Sequence, residues 1–149
     1  MTGKYRLGFS IWALLLFLAV MIPNFIWFAV PAPNDVLRAD SVTGGIDAAA
    51  SVCQVLAVVT LCIFVNTKSR KFRVSPLIIA AAVCCLSYFA AWICYYTGMV
   101  NTVIILGLTI LPCLAFMLFA IDRKNLIALV PISIFSVCHL IYAAVNFII

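Results

Sequence analysis

Charge is what this 149-residue chain has least of: Asp, Glu, Lys and Arg together make up 9% of it, against 68% hydrophobic residues. There is no glutamate, the acids are four aspartates, and a single histidine stands at position 139. An ordinary soluble domain carries about 25% charged residues, so a water-facing surface cannot be built from this composition. Paired carboxylates, a nucleophile beside a base and metal-ligand spacings are also missing, which leaves catalysis and metal binding without a motif and calls for no cofactor. The seven cysteines, at 53, 62, 84, 85, 94, 113 and 138, form no C-x-x-C. They all fall in apolar stretches, where a free thiol packs as a small hydrophobe, so neither a disulfide framework nor a redox motif is expected.

What the chain has instead is long apolar runs. Five of them, 7–30, 46–65, 76–97, 102–121 and 126–149, contain no Lys, Arg or Glu. Each is near the roughly 20 residues that a helix needs to cross about 30 Å of hydrocarbon. The expected fold is therefore all-α, one integral membrane domain over 1–149 built from five transmembrane helices in contact with a lipid bilayer. The first run is about twice as long as a signal-peptide core, and Pro31 and Pro33 crowd the nearest small-residue site, so it reads as an uncleaved helix.

The few charges orient this bundle. Lys4 and Arg6, then Lys68, Arg70, Lys71 and Arg73, then Arg123 and Lys124 all fall on one side if the chain crosses five times, and only Arg38 falls opposite. Short basic loops stay in the cytoplasm, which places the N-terminus inside and the C-terminus outside. The net charge of +5 is thus a topology signal. Scattered over membrane-flanking loops without an aromatic platform, it gives no nucleic-acid surface, although the quartet in NTKSRKFR suits anionic lipid headgroups. Trp27, Phe28, Trp92, Tyr95, Tyr96 and Tyr142 near the outer ends, with Tyr5 and Trp12 near the inner face, read as an interfacial aromatic belt.

Polar residues inside the spans carry the remaining information, because an unpartnered group in hydrocarbon is costly. Ser and Thr can bond to their own helix, whereas Asn, Gln and His do so less readily. Pro23 and Asn24 sit side by side in MIPNFIWF, so a kink is expected there, with Asn24 donating to a freed carbonyl or reaching across to Gln54 or His139. Helical spacing puts Asp47, Ser51 and Gln54 on one stripe of the second helix, and Ser136, His139, Ala143 and Asn146 on one face of the fifth. At about 1.5 Å of rise per residue, Asn24 lies roughly 9 Å, Gln54 roughly 12 Å and His139 roughly 15 Å below the outer end, with Asp47 and Asn146 near the surface. A ligand-binding pocket opening outward is expected from Asn24, Asp47, Gln54, His139 and Asn146. Ala49, Cys53, Ala57 and Thr60, on the opposite side of the second helix, suit close helix packing. Short connections make successive helices antiparallel neighbours.

The stretch IPNFIWFAVPAPNDV, followed by GGIDAAASVCQVLAVV, resembles the opening of a family of uncharacterised bacterial multi-pass membrane proteins. In these, a first helix ends in a Pro-Asn-aromatic element before a proline-bearing outer loop. The resemblance covers the first two helices and implies a bacterial inner-membrane location but no activity. Asp47 departs from it by opening the second helix where the family pattern has a longer polar stretch. Three function classes follow from the residues: a small-molecule binder or transporter using the five polar residues; an accessory or scaffold subunit whose small-residue face, including Ala49, Cys53 and Ala57, meets a membrane-protein partner or a second copy; and, third, a membrane-embedded enzyme.

Overall fold

The computed structural model describes residues 3–69 and 71–149, so Arg70 of the basic quartet lies outside the described residues. Five helices are long and apolar enough to cross a membrane: α1 (Ile11–Ala29), α2 (Gly44–Ile63), α3 (Pro76–Tyr96), α4 (Thr102–Asp122) and α5 (Leu126–Ala143), the last continuing as a π-helical turn over Ala144–Ile148. Local chemistry sets most of their starts. Ser10, Ser75, Asn101 and Asn125 each accept a hydrogen bond from the backbone N–H three residues on, satisfying a donor that the first turn otherwise leaves open. Pro76 occupies the first turn of α3, where its missing N–H is no loss.

The N-terminal boundary differs from the sequence expectation. Residues 7–10 of the expected first run precede the helix, and Tyr5–Leu7 forms β1, paired antiparallel with β2 (Phe64–Asn66), with Tyr5 opposite Asn66 and Leu7 opposite Phe64. The ladder continues through Gly8 N–H to the Ile63 carbonyl at 2.9 Å and Ser10 N–H to the Cys62 carbonyl at 2.8 Å. It thereby engages carbonyls that the end of α2 leaves without helical partners. A Cβ at Gly8 would stand 3.3 Å from Val65 Cγ2, so glycine lets the two chains approach.

Packing order is the second difference. The main helix contacts are α3 with α4 and α2 with α5, followed by α4 with α5, while α2 and α3 scarcely touch despite their short connection. The expectation that sequence neighbours are always spatial neighbours therefore fails there: the chain crosses from one helix pair to the other. α4 is the most buried of the five, and it meets α3 closely where a Cβ on Gly107 would come within 3.3 Å of Ala91 Cβ. α1 makes the fewest contacts, spread thinly over α2, α3 and α4.

Two apolar clusters fill the bundle. One, near the loop joining α1 to α2, is built from Tyr88, Trp92, Tyr95, Ile105 and Leu108; the other, towards the strand pair, from Ala13, Ala57, Leu61, Phe119, Ala128 and Ile132. Fully buried alanines at 13, 120 and 128 let backbones come close, which is how helices gain van der Waals contact in lipid. Ala57 is therefore an internal packing residue and not part of a free face for a partner helix. Trp92 and Tyr95 are likewise core residues and not belt residues. Outward-facing Leu15, Val55, Leu86, Val130 and Val137 are exposed, as bilayer contact requires.

At the strand end a polar knot closes the bundle. Buried Asn125 donates to the Thr60 and Phe64 carbonyls at 3.1 and 2.8 Å while capping α5. Buried Asn66 donates to the Lys124 carbonyl at 2.7 Å, steadying Lys124 in its left-handed conformation at φ 53°. Asn125→Ala is expected to cost about 2–4 kcal/mol, because it orphans two carbonyls and removes a cap together. Unfolding titrations in detergent check this; a loss below about 1 kcal/mol would mean that water takes the place of the amide.

Candidate functional site

α1 runs through Pro23 without interruption. The Asn24 amide donates to the Val20 carbonyl one turn back at 3.0 Å and to the Tyr88 hydroxyl of α3 at 2.8 Å. Its cross-helix partner is thus Tyr88, not Gln54 or His139, because α1 lies against α3 at this level. Tyr88 is itself buried.

Below and beside this pair, the five helices leave a cavity of about 420 Å³. Of the predicted site residues, Asn24, Asp47, Gln54 and His139 all line it. Asn146 does not: its amide donates to Thr43 Oγ1 and the Tyr142 carbonyl, both at 2.9 Å, and its Oδ1 accepts from Val42 N–H. That geometry makes Asn146 a tie between the π-helical turn and the start of α2. Most of the wall is apolar or aromatic. His139 stacks between Phe135 (centroids 5.1 Å apart, 16° between planes) and Tyr142 (6.1 Å, 6°), so positions 135, 139 and 142 form a ladder of rings on one face of α5. Trp27, Tyr88 and Trp92 line the facing side. Among the described residues, the buried indole N–H of Trp92 meets no acceptor in full hydrogen-bond geometry.

The polar wall groups differ in how far they are already engaged. Ser51 donates to the Asp47 carbonyl at 2.9 Å and Thr109 to the Ile105 carbonyl at 2.8 Å, each on its own helix. The Asp47 carboxylate accepts from Thr43 Oγ1 at 2.8 Å and from the Ser41 hydroxyl, in the first turn of α2 where the helix dipole favours negative charge.

The loop between α1 and α2 caps this end, and it supplies the residues that sequence reasoning missed. Leu37, in a short 3₁₀ turn over Val36–Arg38, lines the cavity. It is held there by Asp35, whose carboxylate accepts from the Trp27 indole at 2.9 Å, the Tyr95 hydroxyl at 2.9 Å, Arg38 Nε at 2.7 Å and Ala32 N–H at 3.3 Å. Arg38 also donates to the Trp27 carbonyl, and its guanidinium lies 4.8 Å from the Trp27 ring centroid. Tyr95 completes the circuit by accepting from Leu37 N–H at 3.2 Å. Asn34 donates to the Gly98 carbonyl at 3.1 Å and Tyr96 to the Val30 carbonyl at 2.6 Å, clasping the loop to the end of α3. One signal for this knot was visible: Arg38 is the lone basic residue on its side of the predicted topology, and it stands three residues from Asp35.

Fold and site together define a five-helix membrane bundle with a partly open, aromatic-walled cavity beneath the α1–α2 loop. Compared with known proteins, the chain matches no family model, no curated protein and no solved structure.

Burial pushes the Asp35 carboxyl up, but the hydrogen bonds from Trp27, Tyr95, Arg38 and Ala32 favour the charged form and together hold it below its ordinary 3.8. A depressed carboxyl stabilises the folded state above its unfolded value, and that contribution is lost as pH falls through the folded value. The Asp35 contribution to stability should thus be flat from neutral pH to about pH 4 and decline below it. Asp35→Asn should lose about 1–3 kcal/mol at pH 7 and show a shallower acid decline. Thermal unfolding of both proteins across pH tests this; parallel acid declines would remove Asp35 as the source.

Proposed function

We propose that this protein is a membrane binder or transporter of a small molecule held in the cavity beneath the α1–α2 loop. The observation that carries this reading is the convergence of Asn24, Asp47, Gln54 and His139, from three helices, on one cavity of about 420 Å³. A ligand site of this kind is concave and mostly apolar, has a few convergent polar groups, and falls in a range of about 300–1,000 Å³. Engagement of Ser51 and Thr109 with their own backbones favours binding over a nucleophilic reaction. The same reading places the protein in a bacterial cytoplasmic membrane with its N-terminus inside, on the strength of the basic loops and the resemblance of the first two helices. The cavity then opens towards the outside.

Two measurements test these statements. Native mass spectrometry of protein gently extracted from its own membrane should show a bound small molecule, with occupancy reduced about tenfold or more in Asn24→Leu and His139→Leu at unchanged helicity. Equal occupancy in all three proteins would overturn the assignment of the cavity. For orientation, alkaline phosphatase fused after Ile149 should be active and a fluorescent protein there dark; the reverse pattern would invert the topology.

A further inference from the structure

The chain has four acidic side chains, and their pairing is uneven. Asp35 is bonded to Arg38 at 2.7 Å and Asp122 lies 3.9 Å from Arg123, while Asp40 is exposed on the loop. Asp47 alone faces the cavity. Among the described residues it forms no ion pair, and its hydrogen-bond donors are two neutral hydroxyls. A carboxylate offers about four acceptor sites, so two directions stay open. Among the described residues, no lysine or arginine lines the cavity, which makes Asp47 its one carboxylate or cationic side chain apart from the His139 imidazole. Asp47 is half-buried at the cavity wall, and a ligand that brings a positive centre to it gains a charge-assisted contact.

The rest of the wall points to the same chemistry. Phe135, His139 and Tyr142 present a ladder of rings along α5, and Trp27, Tyr88 and Trp92 stand across from it. Aromatic rings attract cations over their faces, most of all organic ammonium groups that shed water easily; the two faces of His139 are taken by Phe135 and Tyr142, which leaves the other rings of the wall for that contact. One unpaired carboxylate among aromatic rings is repulsive to anions and, for a neutral ligand, leaves the carboxylate without a counter-ion.

We infer that the cavity takes an amphipathic organic cation, its ammonium or comparable centre near Asp47 and its apolar body among the rings of α5, α1 and α3. This rests on the binding reading above and names its ligand class. The test is titration of the purified, detergent-solubilised protein with benzyltrimethylammonium and with neopentylbenzene, its uncharged carbon isostere, followed through tryptophan fluorescence, since Trp27 and Trp92 line the cavity. Benzyltrimethylammonium should saturate, should bind at least about tenfold more tightly than the isostere, and should weaken about tenfold or more in Asp47→Asn, whereas the isostere should be unaffected by that substitution. Should Asp47→Asn lose helicity, Tyr142→Leu leaves the first turn of α2 intact and is expected to weaken the cation more than the isostere. Equal affinity for the two probes, unchanged in the variants, would overturn the cation assignment while leaving a binding cavity. Saturation by neither probe also overturns it, and the small molecule seen by native mass spectrometry then decides separately whether the cavity binds anything.

Discussion

One carboxylate, that of Asp35, joins parts of the molecule that helix packing does not join. α1 has the thinnest packing of the five helices, and between helices in lipid there is no hydrophobic drive to press it home, since lipid tails are as apolar as leucine. Its far end is instead fastened through Trp27 to Asp35, through Asp35 to Tyr95 of α3, and through Arg38 back to the Trp27 carbonyl. Each bond is charge-assisted or shielded, so each is stronger than a neutral bond in water. Asn24 and Tyr88 repeat the attachment one level deeper. The cavity exists because α1 is held by these polar points and not by a continuous apolar seam.

The same arrangement separates two kinds of interior. Towards the strand pair, alanines at 13, 120 and 128 draw the helices together, and Asn66 and Asn125 lock the carbonyls of α2 and the turn before α5. Towards the α1–α2 loop, the rings of Tyr88, Trp92 and Tyr95 join Ala91, Ala115 and Ala143 in the core. Alanines pack both ends of the bundle, and large rings are added at the end where the cavity lies, with Leu37 in its wall. A polar wall group in such a space is either satisfied by its own helix, as Ser51 and Thr109 are, or available, as Asp47 is in part.

Polar residues in the spans thus fall into ties and wall groups, and sequence spacing does not tell them apart. Asn24 serves as both. Asn146 shares a helix face with His139 by count, yet the π-helical turn and the neighbouring loop draw its amide to Thr43 and Val42, away from the cavity. Asp35 does not stand out in the sequence, because its four donors come from a tryptophan, an arginine and a tyrosine at positions 27, 38 and 95 and from a backbone amide that no pattern marks.

The sequence by itself determined the solvent, the helix number and most helix ends. These depend on local quantities: run length against bilayer thickness, and capping residues within one turn of the helix they start. It also brought Asn24, Asp47, Gln54 and His139 to notice, because polar side chains in apolar runs are conspicuous wherever they point. Only the tertiary structure decided that β1 pairs with the chain leaving α2, that α2 packs on α5 and not on α3, that Trp92 and Tyr95 are core, and that Asp35 is the fastening of the cap. Those outcomes rest on which helix faces meet. In a bundle whose helices are apolar on nearly every side, that choice comes from the fit of side chains far apart in the chain, to which hydropathy is blind.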